Sequence, residues 1–421
     1  MLLLQSNHSY SNVLRLGFNV DNSNSIYTPS KQGFSQARYK IKPSAPEAIN
    51  NSLLTDFYLK EKQRLETFCG LRTLAVDGTG FRLEDRAYCE MLEELEKQNI
   101  DLPVSVSEPL SPTIRGSILH DVYNETVVDI KAVANVFSEQ ELAIEHCDQL
   151  QDSDLLLFDR GYHALWLWAV LGAMGQKFVC RARSDVGYIK SFLGSNKNED
   201  IIEVKIKESN LNVSPRHKAL IKKHAGELKA GDTVKLRLIR YEQANEKGEL
   251  ITYVMVSNLL DLEKYPCKEF KQLYERRWRV EEGIKTHKIS GEIERWTGTT
   301  WFSAKQDIHF NILLYNLTRM ISMDTDKAMR ARTVSKKGEG RLLKYCRKLN
   351  ITAALRCMRT VMVKLVQSFI HCDDYFCVEQ QVNDFCDTIA QYETLIRPGR
   401  SFSRKIKNSA KRFHMNCKSN T

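Results

Sequence analysis

The chain has 421 residues, 42% of them hydrophobic and 27% charged, proportions that exclude a wholly disordered or fibrous protein. No apolar run approaches the roughly 18 residues that a membrane helix needs, so a soluble, cytoplasmic protein with no membrane partner is expected. A formal net charge of +10 suits a polyanionic partner, and the charge is concentrated: nine Lys/Arg against one acid between Lys327 and Lys348, and eight against none between Arg397 and Lys418.

Residues 1–66 read as a polar, Asn/Ser-rich lead-in followed by short helices around Gly33–Arg38 and Ala45–Thr67, made basic by Lys31, Arg38, Lys40 and Lys42. They suit a short helical region that touches DNA. The first strand runs from Leu71 to Val76 and ends at Asp77-Gly78-Thr79. An acidic helix, Glu84–Gln98, and a proline-bearing loop follow. Gly116–Val122 and Thr126–Ile130 flank Tyr123-Asn124-Glu125 as a hairpin. Ser138, with Glu141 three residues on, opens a helix with a capping box. Asp154–Phe158 is an apolar strand that stops at Asp159, Ala164–Met174 an apolar helix, and Lys177–Arg183 a further strand. Residues 67–183 thus form the first part of an α/β core, with two aspartates at strand ends, where open α/β sheets place their ligands.

Residues 184–250 are charged and β-flavoured, and read as a β-rich insertion subdomain. Residues 251–325 return to the core through a strand, Leu250–Val256, and a helix, Lys268–Ser290. Residues 326–421 form a basic, mostly helical C-terminal region around an apolar helix, Ala353–Phe369. Eleven cysteines without a C-x-x-C pair point to reduced thiols. Cys372, Cys377 and Cys386, with His371 beside them, read as helical core cysteines rather than a zinc site.

The helix 268–290 carries the informative pattern. At about 100° per residue, Tyr274, Arg277, Glu281, Lys285 and Lys288 share a sector roughly 80° wide, beside an apolar stripe of Phe270, Leu273, Val280 and Ile284. Taken alone, such a face is an ordinary solvated one with i,i+4 ion pairs.

Its spacing says more. Tyr274, Arg277, Glu281 and Lys288 reproduce the YREK signature of the insertion sequence 4 group of DDE transposases, which the chain resembles over residues 31–320. Phe34-Ser35-Gln36-Ala37-Arg38, Val76-Asp77-Gly78-Thr79 and Phe158-Asp159-Arg160-Gly161-Tyr162 resemble further segments of that group. So do Glu294-Arg295-Trp296-Thr297-Gly298, Gln306-Asp307 and Leu313–Leu317. Against that resemblance, the region ahead of Phe34, where the group carries a DNA-binding region, is short and weakly patterned and reads as truncated or diverged. The resemblance implies a ribonuclease H-like mixed sheet flanked by helices, interrupted by the β-rich insertion before the catalytic helix.

It also implies a transposase that cleaves DNA at transposon ends and transfers the strands by cut-and-paste. Asp77, Asp159 and Glu281 would be the catalytic carboxylates and would hold two Mg²⁺ ions, with Mn²⁺ able to substitute. Two such ions, roughly 3.5–4 Å apart, stabilise both the attacking and the leaving oxygen. Arg277 and Lys288 would grip phosphates and Tyr274 a terminal phosphate. Trp278, Tyr253 and Arg160 would also meet DNA. The partners implied are transposon-end DNA, target DNA and a second copy of the chain in the DNA complex. Two rival readings share the fold: a relic that only binds DNA, and a structure-selective nuclease that releases product by water alone.

Overall fold

The computed structural model describes residues 30–244, 248–333, 342–371 and 375–397. The expected lead-in and the basic run from Arg400 onward lie outside them. Two helices open the described part of the chain, α1 (Lys31–Arg38) and α2 (Ser44–Lys60). There follow β1 (Arg72–Arg82), α3 (Asp85–Lys97), β2 (Thr113–Asp121), β3 (Val127–Val133), α4 (Glu139–Glu145), β4 (Asp154–Phe158), α5 (Leu165–Ala173) and β5 (Lys177–Arg181). Next come α6 (Gly187–Gly194), β6 (Glu199–Lys205), α7 (Pro215–Ala225), β7 (Thr233–Ala244) and β8 (Leu250–Ser257). The chain continues through α8 (Glu269–Glu275), α9 (Trp278–Ile289), α10 (Trp301–Ile321) and α11 (Met323–Ala331). β9 (Arg347–Leu349), α12 (Ile351–His371), α13 (Tyr375–Ile389) and β10 (Glu393–Leu395) complete the described residues.

Eight strands form one mixed sheet in the order β3-β2-β1-β4-β5-β8-β7-β6. β1, β4 and β5 are parallel, and the β1-β2-β3 meander is antiparallel. The period-2 alternation of a strand sorts its side chains between two helical layers. Leu74 and Val76 of β1 and Leu156 and Phe158 of β4 bury against α4 and α5. Ala75, Leu155 and Leu157 bury on the opposite face, against Phe270, Leu273 and Val280 of α8 and α9. Odd-numbered residues of both strands therefore face α9.

Three expectations change. β1 does not stop at Asp77: its antiparallel pairing with β2 continues to Arg82↔Thr113, although the parallel pairing with β4 ends at Ala75↔Leu157. Residues 184–250 do not form a sheet of their own. β6 and β7 continue the core sheet through β8, because Leu236 and Leu238 bury in the same cluster as α5. Helices α6 and α7 also lie within this stretch, and the Ser214 cap ahead of Pro215 was the signal for α7. Finally, the helix expected over 268–290 is two helices. Around Arg276 and Arg277 the amides bond to carbonyls three residues back instead of four, so a single helical wheel does not hold across the join.

An ion-pair hub ties the hairpin to the helices. Glu125, at φ 57 in the β2-β3 turn, meets Arg279 of α9 at 2.7 Å, Arg319 of α10 at 2.8 Å and Arg330 of α11 at 2.9 Å. Burial alone would push its carboxyl up, but Arg319, Arg279 and Arg330 outweigh burial and hold it well below the usual carboxylate range. A carboxyl whose folded pKa is depressed contributes stability above its unfolded value, about 4.3, and loses it on further acidification. The Glu125 contribution to stability should therefore be constant above about pH 5 and be lost below about pH 4, read as the difference in melting temperature between wild type and Glu125→Gln across pH. A difference that stayed the same on acidification would show that the hub does not hold this carboxylate as described.

Candidate active site

Asp77 and Asp159 reach one place by strand parity. Both extend the odd-numbered rows of β1 and β4 that face α9, and both lie just beyond the end of the β1-β4 pairing. Glu281 comes from the first turn of α9. The link between them is Arg277, at the N-cap of α9 and only 2% exposed. Its Nη2 donates to Glu281 Oε1 at 2.9 Å, and its Nη1 lies 3.8 Å from Asp77 Oδ2. Asp159 pairs with Arg181 at the end of β5, at 2.9 Å. Three carboxylates and two guanidiniums thus alternate at one end of the sheet.

The electrostatics are uneven. Burial, opposed by Arg277 and the Gly78 amide and reinforced by Glu281 and Glu139, pushes the Asp77 carboxyl up to about 6. A divalent ion suits this donor set, since carboxylates are hard oxygen ligands. Asp159 Oδ1 is also buried without a well-aligned hydrogen bond despite its ion pair. Among the described residues no three Asp, Glu, His or Cys are grouped closely enough to grip one ion as they stand; Arg277 occupies the space between Asp77 and Glu281 instead. An ion entering here must displace that guanidinium and a proton from Asp77. Below about pH 6, Mn²⁺ affinity should then fall by about tenfold per pH unit, one proton being exchanged. A titration series showing no change between pH 7 and pH 5 would contradict it.

The other expected residues divide into two groups. Trp278 is 48% exposed beside Arg277, whose Cζ lies 5.2 Å from its ring, and Arg160 is exposed next to Asp159. Tyr253 on β8 stacks on Tyr241 at 5.3 Å and lies 5.7 Å beneath Arg181, so it borders the site. Tyr274 and Lys288 are engaged by protein. Tyr274 is buried and its hydroxyl donates to the Phe158 carbonyl at 3.2 Å. With the helix broken after Glu275, this side chain braces the end of β4, and the phosphate contact expected of it would require the hydroxyl to exchange that carbonyl. Lys288 donates to the Gly80 carbonyl and lies 3.8 Å from Glu294 Oε1.

The remaining motif residues turn out to be one structural unit. Arg38 enters the core from α1, donating to Gln306 Oε1 at 2.6 Å and to the Ser303 carbonyl at 2.8 Å, and it pairs with Asp307. It also donates to Thr297 Oγ1. Glu294 accepts from the Arg82 amide at 3.0 Å, and Trp296 Nε1 donates to the Arg82 carbonyl at 2.8 Å. These residues fasten α1, the loop after α9 and α10 to the far end of β1.

Residues 69–317 match the family described as "Transposase DDE domain". The chain belongs to the DDE transposase family. Over 265 residues it is 25% identical to "Transposase InsG for insertion sequence element IS4" of Escherichia coli (strain K12), a stretch that covers 61% of this chain and 54% of that one. The chain spans about half the length of the curated relative it matches. The eight-stranded mixed sheet with helices on both faces is the ribonuclease H-like core expected of a DDE transposase. No helix among the described residues is long and apolar enough to cross a membrane. In this DDE-family chain, sequence reasoning missed three residues at the site: Arg181, Glu139 and Tyr162. Arg181 carried a signal, since it ends the strand beside β4, where a side chain reaches the Asp159 position.

Proposed function

We propose that this chain is a transposase that cleaves DNA at transposon ends and joins the freed strands to target DNA by cut-and-paste. The observation that carries the reading is the meeting of Asp77 and Glu281 on one buried guanidinium, with Asp159 beside them from the adjacent parallel strand. Elements 204 residues apart in sequence supply acidic groups to one end of one sheet.

Asp77, Asp159 and Glu281 would hold divalent ions, Mg²⁺ or Mn²⁺. Bound there, such ions would neutralise charge on the attacking and leaving oxygens of a phosphodiester. The chain's own side chains bind and orient. Trp278 and Arg160, both exposed at the rim, offer a stacking face and a cation to the DNA entering the cleft. Arg277, released from its carboxylates, is a planar two-pronged donor for a phosphate. Lys288 can exchange the Gly80 carbonyl for a second phosphate. Tyr274 keeps the Phe158 carbonyl, and with it Asp159, in place. Tyr253 borders the site from β8. A second copy of the chain would serve the other transposon end.

The test uses the DNA that flanks the coding sequence, with Mg²⁺ and a target plasmid. The reading predicts nicks at the element ends and covalently joined product. Nicked DNA without joining would favour a nuclease on this fold, and retarded but intact DNA would favour a relic; either would overturn the reading.

A further inference from the structure

Helix α4 brings an acidic group to the site from the other face of the sheet. Gly78 follows Asp77 on β1, and by strand alternation its missing side chain points toward α4. Glu139, in the first turn of α4, fills that space: a Cβ on Gly78 would overlap its carboxylate oxygen Oε1. β1 has no β4 neighbour beyond Ala75, so on its β4 side no paired strand lies between the two faces at this point. Glu139 has neither an ion pair nor a hydrogen bond to any described residue. Its own helix turn is firmly held, however. Ser138 Oγ lies 2.9 Å from His217 Nε2, the capping box closes on Glu141, and Gln140 Nε2 donates at 3.2 Å to the Gly161 carbonyl in the turn after Asp159.

An independent observation marks the same spot. Tyr162, in that turn, is 2% exposed, and its hydroxyl makes no hydrogen bond. The charges that act on it most strongly are those of Glu139 and then Asp77. A buried hydroxyl without a partner calls for an explanation, and an ion or its water beside these two carboxylates would give the O–H an acceptor.

We propose that Glu139 is a fourth acidic member of the metal site, engaging an ion held by Asp77, directly or through one of the ion's waters, with Tyr162 donating to the same shell. The proposal rests on the metal-dependent reading above. It explains why a glycine occupies position 78: any side chain there would force the Glu139 carboxylate out of this space. It also gives the fixed first turn of α4 a purpose, since it sets the distance of Glu139 from the Asp159 turn.

The test titrates the full chain with Mn²⁺ alone and follows water-proton relaxation, which needs no DNA and no turnover. Wild type, Glu139→Gln and Asp77→Asn are compared, with a thermal melt of each. Glu139→Gln should weaken Mn²⁺ by about tenfold or more, the scale seen when a group supporting a metal shell is removed. Its melting temperature should match that of wild type, because Glu139 is exposed and holds no partner. Asp77→Asn should lose the tight site altogether. If Glu139→Gln bound Mn²⁺ as wild type does while Asp77→Asn had lost it, the fourth acid would be overturned and the metal site would stand. If Asp77→Asn also bound as wild type, the metal site itself would fall, and the role of Glu139 with it.

Discussion

Glu281→Gln should lower the rate of strand cleavage by about three orders of magnitude or more, while DNA affinity stays within about twofold. Glutamine keeps the shape and polarity of the side chain on α9, so the fold and the rim residues are unchanged. It removes the full negative charge that a hard divalent cation selects. Charge stabilisation by a bound metal is worth several kcal/mol at the transition state, and each 1.36 kcal/mol is tenfold in rate. Binding is spared because the substitution removes a negative charge that faces DNA phosphates and frees Arg277 from its 2.9 Å contact. Glu282, one position on and exposed, is the internal control: Glu282→Gln should cleave at the wild-type rate. Cleavage by Glu281→Gln at the wild-type rate would remove this residue from the catalytic set, with Glu282 the first replacement to examine.

The largest effect on stability should come from Arg38→Ala, far from the chemistry. Arg38 and Asp307 have side chains only 1% exposed, and the guanidinium also serves Gln306, Thr297 and the Ser303 carbonyl. Truncating it strands a buried carboxylate, and breaking a buried pair on one side costs ~3–5 kcal/mol. Urea unfolding should show a loss of that size. Arg38→Lys should recover little, because a lysine ammonium cannot reproduce the planar fork that meets several acceptors at once. A loss below about 1 kcal/mol would mean that α1 is not fastened to the core through this residue.

How much of this was legible can be followed residue by residue. The apolar runs before Asp77 and Asp159 marked both as strand ends of the core; that both carboxylates lie on one face follows from the Ala75↔Leu157 register, which only the sheet supplies. The hairpin around Asn124 and the capping box at Ser138 were local signals with local causes. What was not legible depended on partners distant in sequence. The extension of β1 to Arg82 depends on β2, 31 to 41 residues away, and the placing of β6 and β7 in the core sheet depends on β8 being there to receive them. The break at Arg276–Arg277 defeats any wheel drawn across it, so Tyr274 left the polar face and turned inward to the Phe158 carbonyl. Arg38 looked like one more basic residue in a DNA-contacting stretch; only the fold reveals that it is a buried anchor. Glu139 gave no signal at all, because its relation to Asp77 runs through the empty side of a glycine.

The central claim is that Asp77, Asp159 and Glu281 surround one divalent-cation site. Its most direct test replaces the ion with Fe²⁺ and, with ascorbate and peroxide, lets the radicals formed there cut the nearby backbone. Three sets of peptide fragments should appear together, with ends near residues 77, 159 and 281, and all three should vanish when excess Mg²⁺ is added. Cuts clustered elsewhere, or cuts near one of the three without the other two, would contradict a shared site.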